Sequence, residues 1–245
     1  MIEAQRIHGD PRPAVAGRIA ILPVGSVEFH GPHGYLGVDS LIADHLAKEI
    51  TERLDGVLLP NVDYTWCPEM NRPYPGTISV PQRVMEDYFT AVLGGVLSWG
   101  VAGVLVICGH NGNVGPLTVA ADVVGADHPD QFVLAINWWD TWAEQDSAHA
   151  FGFTENGGHG HGGPLEMSAA WAVYPEGVKP ADAPDISTAK VRRHPVLRVL
   201  HRDGAYPSWN GYHGSISQAS IEAGRKLLAH AVERIVSDVE SYQKR

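Results

Sequence analysis

Three short apolar runs constrain this 245-residue chain more than any other feature: IAILPV at residues 19–24, VLVIC at 104–108 and FVLAINW at 132–138. Runs of that length with no polar alternation predict strands buried on both faces, as in a parallel sheet. Between and after them, residues 40–54, 81–97, 117–124 and 221–242 carry apolar side chains at helical spacing. Alternating strands and helices predict an α/β fold, one domain over residues 1–245, with a mainly parallel sheet flanked by helices. Asp39 or Ser40 is expected to cap the first of these helices, and Asn113 the third. In such sheets ligands bind at the carboxyl ends of the strands, so the segments after Val24, Cys108 and Trp138 are where chemistry is expected.

Composition removes several alternatives. Hydrophobic residues at 44% and charged residues at 19% are ordinary for a globular chain. The charge balance is 18 − 28 = −10, which argues against binding a phosphate backbone. No run of about 18 apolar residues is present to span a bilayer. Two cysteines, Cys67 and Cys108, make no disulfide framework, and the first residues lack the apolar core of a secretory signal. The expectation is a soluble, cytoplasmic protein with a small-molecule partner, no nucleic acid and no membrane. Thirteen histidines are the oddity, and their positions carry the argument.

The first strand runs into GSVEFHGPHGYLGVD, which holds Glu28, His30, His33 and Asp39 in one loop. Its glycines and Pro32 exclude a regular helix and let the backbone wrap so that separated side chains converge. Imidazole with carboxylate suits zinc, manganese or iron(II) better than calcium or magnesium. The second strand runs into GHNGN, whose His110 points into the crevice where the first loop opens. A third segment, ENGGHGHGGPLEMS, carries His159, His161 and Glu166. His159 and His161 read as ligands, proton carriers or loop residues. Glu166, from its residues alone, reads first as a carboxylate favoured by a helix N-terminus. Trp138, Trp139 and Trp142 follow the third strand, and form either a stacking wall for a planar substrate or ordinary packing. Cys108 reads as a small apolar filler.

Together these segments resemble the creatininase family of metal-dependent amidohydrolases over most of the chain. The loop LPVGSVEFHGPHGYLGVD, the stretch PGTIS at 75–79, CGHNGN, HGGPLEMS and the closing GSISQASIEAG are similar, in the same order, to that family's motifs. The resemblance implies two divalent ions per chain, zinc first, with manganese or iron(II) as alternatives. It implies Asp39 as the bridge, Glu28 and His110 on one ion, and His30 on the other. Glu166 then fills the place of a glutamate that the resemblance expects where Gly112 stands. His161 matches a proton-transfer histidine, and Glu166 joins it in the catalytic set. His33 is assigned to the layer behind the ligands or to the substrate side, and Asn71 to the substrate side. A homo-oligomer, by resemblance a hexamer, is also implied.

The implied activity is hydrolysis of a C–N bond in a small amide, cyclic amide or formamide, with water activated by the metal pair. Gly112, Asn71 and the Ser215-Ile216 pair depart from the family pattern: Gly112 argues against authentic creatininase, and Asn71 implies a different substrate-side group. Alternatives on the same scaffold are hydrolysis of an oxidised inositol or of a short peptide in cofactor maturation, and a metal-dependent isomerase or lyase. Arg72, Arg192 and Arg193 keep a nucleotide-like substrate open.

Overall fold

The computed structural model describes residues 1–186 and 210–244. Five strands form one sheet in the order β1-β3-β2-β4-β5, every neighbouring pair parallel. They are β1 (Ile2–Glu3), β2 (Ile19–Val24), β3 (Val57–Leu58), β4 (Gly103–Cys108) and β5 (Phe132–Asn137). The helices are α1 (Arg12–Val15), α2 (Val38–Arg53), α3 (Gln82–Leu97), α4 (Val114–Asp127), α5 (Glu144–Phe151), α6 (Pro164–Val173) and α7 (Ile221–Gln243). The expected α/β class with a parallel sheet is what the chain adopts.

β2 and β4 are wholly buried because both of their faces meet helices. Ile19, Ile21, Leu105 and Ile107 point into one core cluster, with residues of α2, α6 and α7. Ala20, Leu22, Val24, Val104, Val106 and Cys108 point into the other, with residues of α3 and α4. That two-residue alternation explains why the strands read as unbroken apolar runs. Pro23 is tolerated in the central strand because β3 has ended opposite Ile21, leaving no ladder bond on that side for Pro23 to donate.

Several boundaries differ from expectation for physical reasons. α4 starts at Val114, before Pro116, since proline is accommodated in a helix's first turn. β5 stops at Asn137, with Trp138–Thr141 forming a 3-10 turn, and as an edge strand it is only half-buried where burial on both faces was expected. β1 and β3 have two residues each, too few for any periodicity to show. Among the described residues, no helix is long and apolar enough to cross a membrane.

From β2 the chain passes to β3 on one side of the sheet, then returns to β4 on the other. The ends of β2 and β4 therefore flank the point where strand order reverses, where α/β sheets open a crevice.

Candidate metal centre

The register pairs Val24 with Cys108, so the loop after β2 and the turn after β4 begin side by side. Gly109 N–H donates to the Val24 carbonyl at 2.8 Å. The first turn of α2 brings Asp39 to the same place. A Cβ on Gly109 would overlap the Asp39 backbone carbonyl, so glycine is what permits this approach. Neither Asp39 nor Ser40 caps α2, contrary to expectation. Gly37 holds the cap position with no side-chain bond, the Asp39 carboxylate is turned toward histidines, and Ser40 Oγ donates to the Ser26 carbonyl. Asn113 holds the cap position of α4, but its amide donates to the Gly25 carbonyl at 2.9 Å and ties the two loops together.

Asp39 faces two histidines, one from each oxygen. Oδ1 lies 3.0 Å from His30 Nε2, and Oδ2 lies 3.2 Å from His110 Nδ1 while accepting from Ser26 Oγ at 2.7 Å. Glu28 Oε1 lies 3.0 Å from His110 Nδ1 and 3.3 Å from His161 Nδ1. It is fully buried yet accepts no hydrogen bond of proper alignment. Glu166 Oε2 lies 3.7 Å from His30 Nε2 and accepts from Gly162 N–H at 2.6 Å. Glu166 thus lies in the first turn of α6 and also approaches His30.

The outer nitrogens of these rings share one arrangement. His30 Nδ1 donates to the Glu28 carbonyl at 2.9 Å, His110 Nε2 to the Trp66 carbonyl at 3.1 Å and His161 Nε2 to the Phe29 carbonyl at 2.7 Å. A carbonyl only accepts, so the neutral ring carries its proton there and presents an unprotonated nitrogen to the carboxylates. Such a nitrogen against a carboxylate oxygen is repulsive unless a cation lies between them. Backbone-anchored histidines facing carboxylates are how proteins orient metal ligands.

The electrostatics agree. Burial works against charge on His30, but Asp39, Glu166 and Glu28 outweigh it and raise its pKa to about 10. His110 is raised in the same way, its burial outweighed by Glu28 and Asp39. Burial would lift Asp39 and Glu28, but the neighbouring imidazoles hold both below the usual carboxylate range. Glu166 is pushed up to about 7, chiefly by burial. His161 falls to about 4, by burial and then by the charge on His30. Protons thus supply positive charge that three converging carboxylates call for.

The donors divide into overlapping groups whose ligand atoms lie within 4.8 Å of one another: His30, Asp39 and Glu166; Glu28, Cys67 and His110; and Glu28, His30 and His161. Nitrogen and oxygen donors in a buried cluster, with an orphaned carboxylate oxygen aimed inward, fit a transition metal. Cys67 and Ser26 were not legible as site residues in the sequence.

The other candidates are placed as follows. Asn71 donates from Nδ2 to Glu28 Oε2 at 3.0 Å and lines the cavity. His33 is buried away from the cavity, with Nε2 2.9 Å from the Gly162 carbonyl, so it steadies the loop carrying His161 instead of facing substrate. His159 sits at the rim, 3.2 Å from Ser147 Oγ. Trp138 and Trp139 line the cavity, whose volume is about 1630 Å³. Trp142 does not: the turn before it directs its ring onto His230 and Phe151, and Nε1 donates to the Leu227 carbonyl. Gly112 is required, since a Cβ there would lie 2.7 Å from the Trp66 carbonyl oxygen and closer still to His110 Nε2. The PGTIS stretch fastens the centre: Thr77 Oγ1 accepts from Phe29 N–H, and Ser79 Oγ bonds Cys67 at both N–H and carbonyl. Arg72 is exposed and does not line the cavity, and Arg192 and Arg193 lie outside the described residues.

The family model for creatininase, described as creatinine amidohydrolase, matches residues 12–239. The chain belongs to the creatininase family. Creatinine amidohydrolase of Pseudomonas putida is 25% identical over 243 residues, covering 94% of this chain and 92% of that one. Mycofactocin precursor peptide peptidase of Mycobacterium tuberculosis is 27% identical over 235 residues, covering 89% and 83%. A 3-dehydro-scyllo-inosose hydrolase of Thermotoga maritima is 25% identical over 248 residues, covering 90% and 77%. A creatininase crystal structure superposes with a TM-score of 0.85 at 23% identity, over 98% of this chain and 97% of that one. Solved creatininases include a manganese form (TM-score 0.84, 22% identity, 98% of each chain) and a Zn–Zn variant (0.85, 22%, 98% and 97%). Creatininase-family relatives named for hydrolysis make this chain a family hydrolase by descent, and the creatininase structures establish its fold.

Proposed function

We propose that this family member is a binuclear metal-dependent amidohydrolase that cleaves a C–N bond in a small amide, cyclic amide or formamide. The observation that carries the reading is Asp39, whose two oxygens face histidines belonging to two different donor groups. His30, Asp39 and Glu166 would hold one ion, and Asp39, Glu28 and His110 the other. Zinc suits these donors best, with manganese and iron(II) as alternatives. When bound, such ions acidify water and polarise a carbonyl, the two demands of amide hydrolysis.

The protein's own residues supply the remainder. His161 keeps its N–H on the Phe29 carbonyl and turns Nδ1 toward the centre, which suits it to take a proton there and return it to a departing nitrogen. Asn71 holds one oxygen of Glu28, leaving the other directed inward. Trp66 and Trp139 offer apolar surface for a planar group, Trp138 being fully buried in the core, and no lysine or arginine is among the described residues lining the cavity. That lining favours a neutral or weakly basic substrate over a phosphorylated one.

The enzyme is further proposed to work in the cytoplasm as a homo-oligomer, a hexamer by family tendency. Support for association comes from exposed Val84 and Tyr88 on α3 beside Val119 and Val123 on α4. The catalytic reading is tested by incubating zinc-loaded protein with a panel of small amides, lactams and formamides in oxygen-18 water. Product carrying one solvent oxygen is expected. Turnover without solvent oxygen points to an isomerase or lyase, and no turnover of any C–N substrate counts against an amidohydrolase.

A further inference from the structure

The loop between β3 and α3 does more than orient His110. Thr65 Oγ1 donates to the Gly25 carbonyl at 2.8 Å, the Trp66 carbonyl receives His110 Nε2, and Ser79 Oγ grips the Cys67 backbone on both sides. Three consecutive residues are thereby fixed against the two loops of the centre. The outcome is a fully buried Cys67 whose sulfur lies within 4.8 Å of ligand atoms of both Glu28 and His110. The sulfur lies 3.7 Å from the Ile78 carbonyl, and its thiol also meets the side chains of Ser26 and Glu28. A separate observation points to the same spot. Glu28 Oε1, with no exposure to solvent, accepts no hydrogen bond of proper alignment and is aimed where sulfur and imidazole converge.

We propose that Cys67 is a fourth protein ligand, through its thiolate, to the ion held by Asp39, Glu28 and His110. This rests on the metal-hydrolase reading above and adds to it the selection of the metal. Ligation exchanges the S–H proton, released to water, for a sulfur–metal bond. Charge then balances without further anions: Glu28, Asp39, Glu166 and Cys67 bring four negative charges against two dications in a buried pocket. A thiolate at this position makes it softer than a purely nitrogen and oxygen site, so zinc, cobalt or iron(II) is preferred over manganese or magnesium.

Cobalt(II) tests this directly, because its visible bands report occupancy and an intense near-ultraviolet sulfur-to-cobalt band reports thiolate ligation. The metal-free full chain is titrated with cobalt chloride alone. Both sets of bands are expected in the unmodified protein. Cys67→Ser should lose the near-ultraviolet band and keep the visible ones, while Cys108→Ala, altered within the core at the end of β4, should keep both. Visible bands without the charge-transfer band in the unmodified protein overturn the role of Cys67 and leave the metal centre standing. Survival of that band in Cys67→Ser overturns it equally. Absence of any visible band removes the metal reading, and this inference with it.

Discussion

Asp39 Oδ1 stands 3.0 Å from His30 Nε2, while its second oxygen is held by Ser26 and faces His110. One carboxylate thus borders two donor groups, and its loss should disturb both. Asp39→Ala is expected to lower metal affinity by more than about 100-fold, beyond the roughly 10–100-fold cost of losing an orienting partner. Metal content and hydrolysis should vanish together by elemental analysis and assay. Full occupancy in the variant excludes a bridging role.

Glu166 serves one group only. Glu166→Gln keeps an oxygen able to accept from Gly162 N–H, so the start of α6 should survive. The amide is a poor ligand, and one of two binding steps in a zinc titration should weaken by about 10–100-fold. Two unchanged steps would leave Glu166 with its helix role alone.

Gly112 cannot be exchanged for a ligand. Any side chain at this position would set its Cβ over His110 Nε2 and the Trp66 carbonyl. Overpacking of this kind costs about 1–3 kcal/mol. Gly112→Glu should therefore lower the melting temperature by roughly 2–10 °C and weaken metal binding through displaced His110. Tighter metal binding in this variant would show that the loop has room for a carboxylate after all.

His161 contributes to catalysis without closing either Asp39 group. His161→Gln should retain metal and lose about 10²–10⁴-fold in kcat. Loss of an ion instead of turnover would make it a ligand through Nδ1, as its grouping with Glu28 and His30 allows.

The metal-free protein should lose stability as pH rises. Glu166 titrates near 7 in the fold against an ordinary 4.5, and His30 near 10 against 6.5. A raised folded pKa means the proton binds more tightly in the native state. Its stabilisation is complete below the unfolded value and is lost as pH rises through the folded one. The windows are 4.5 to about 7 for Glu166 and 6.5 to about 10 for His30. Chelator-treated protein should melt lower near pH 9 than near pH 6, whereas the stabilisation added by zinc should grow, because ligands must shed protons to bind it. A melting temperature that climbs with pH in the chelated protein contradicts protons standing in for cations.

The strands were legible because β2 and β4 are buried on both faces, which writes itself as IAILPV and VLVIC. Glu28, His30 and Asp39 were legible because one glycine-rich loop carries them to a strand end. Their pairing was implied by the family resemblance alone, since it depends on which carbonyl holds the far side of each ring. The expected cap at Asp39 or Ser40 failed because the fold turns Asp39 toward the histidines and Ser40 onto the Ser26 carbonyl, whereas Asn113 takes the expected cap position of α4 but uses its side chain to tie loops together. Cys67 stayed hidden because nothing near it in sequence resembles a ligand set; Ser79 of the PGTIS stretch holds its backbone so that the sulfur lies within 4.8 Å of donor atoms of Glu28 and His110. Trp142 was misplaced by a single 3-10 turn, which rotated it out of the cavity and onto α7.

Elemental analysis of protein purified without chelator and exchanged into metal-free buffer bears most directly on the centre. Two divalent ions per chain are expected, falling toward none in Asp39→Ala. One ion or none in the unmodified, folded protein, after exposure to excess zinc, contradicts a binuclear centre.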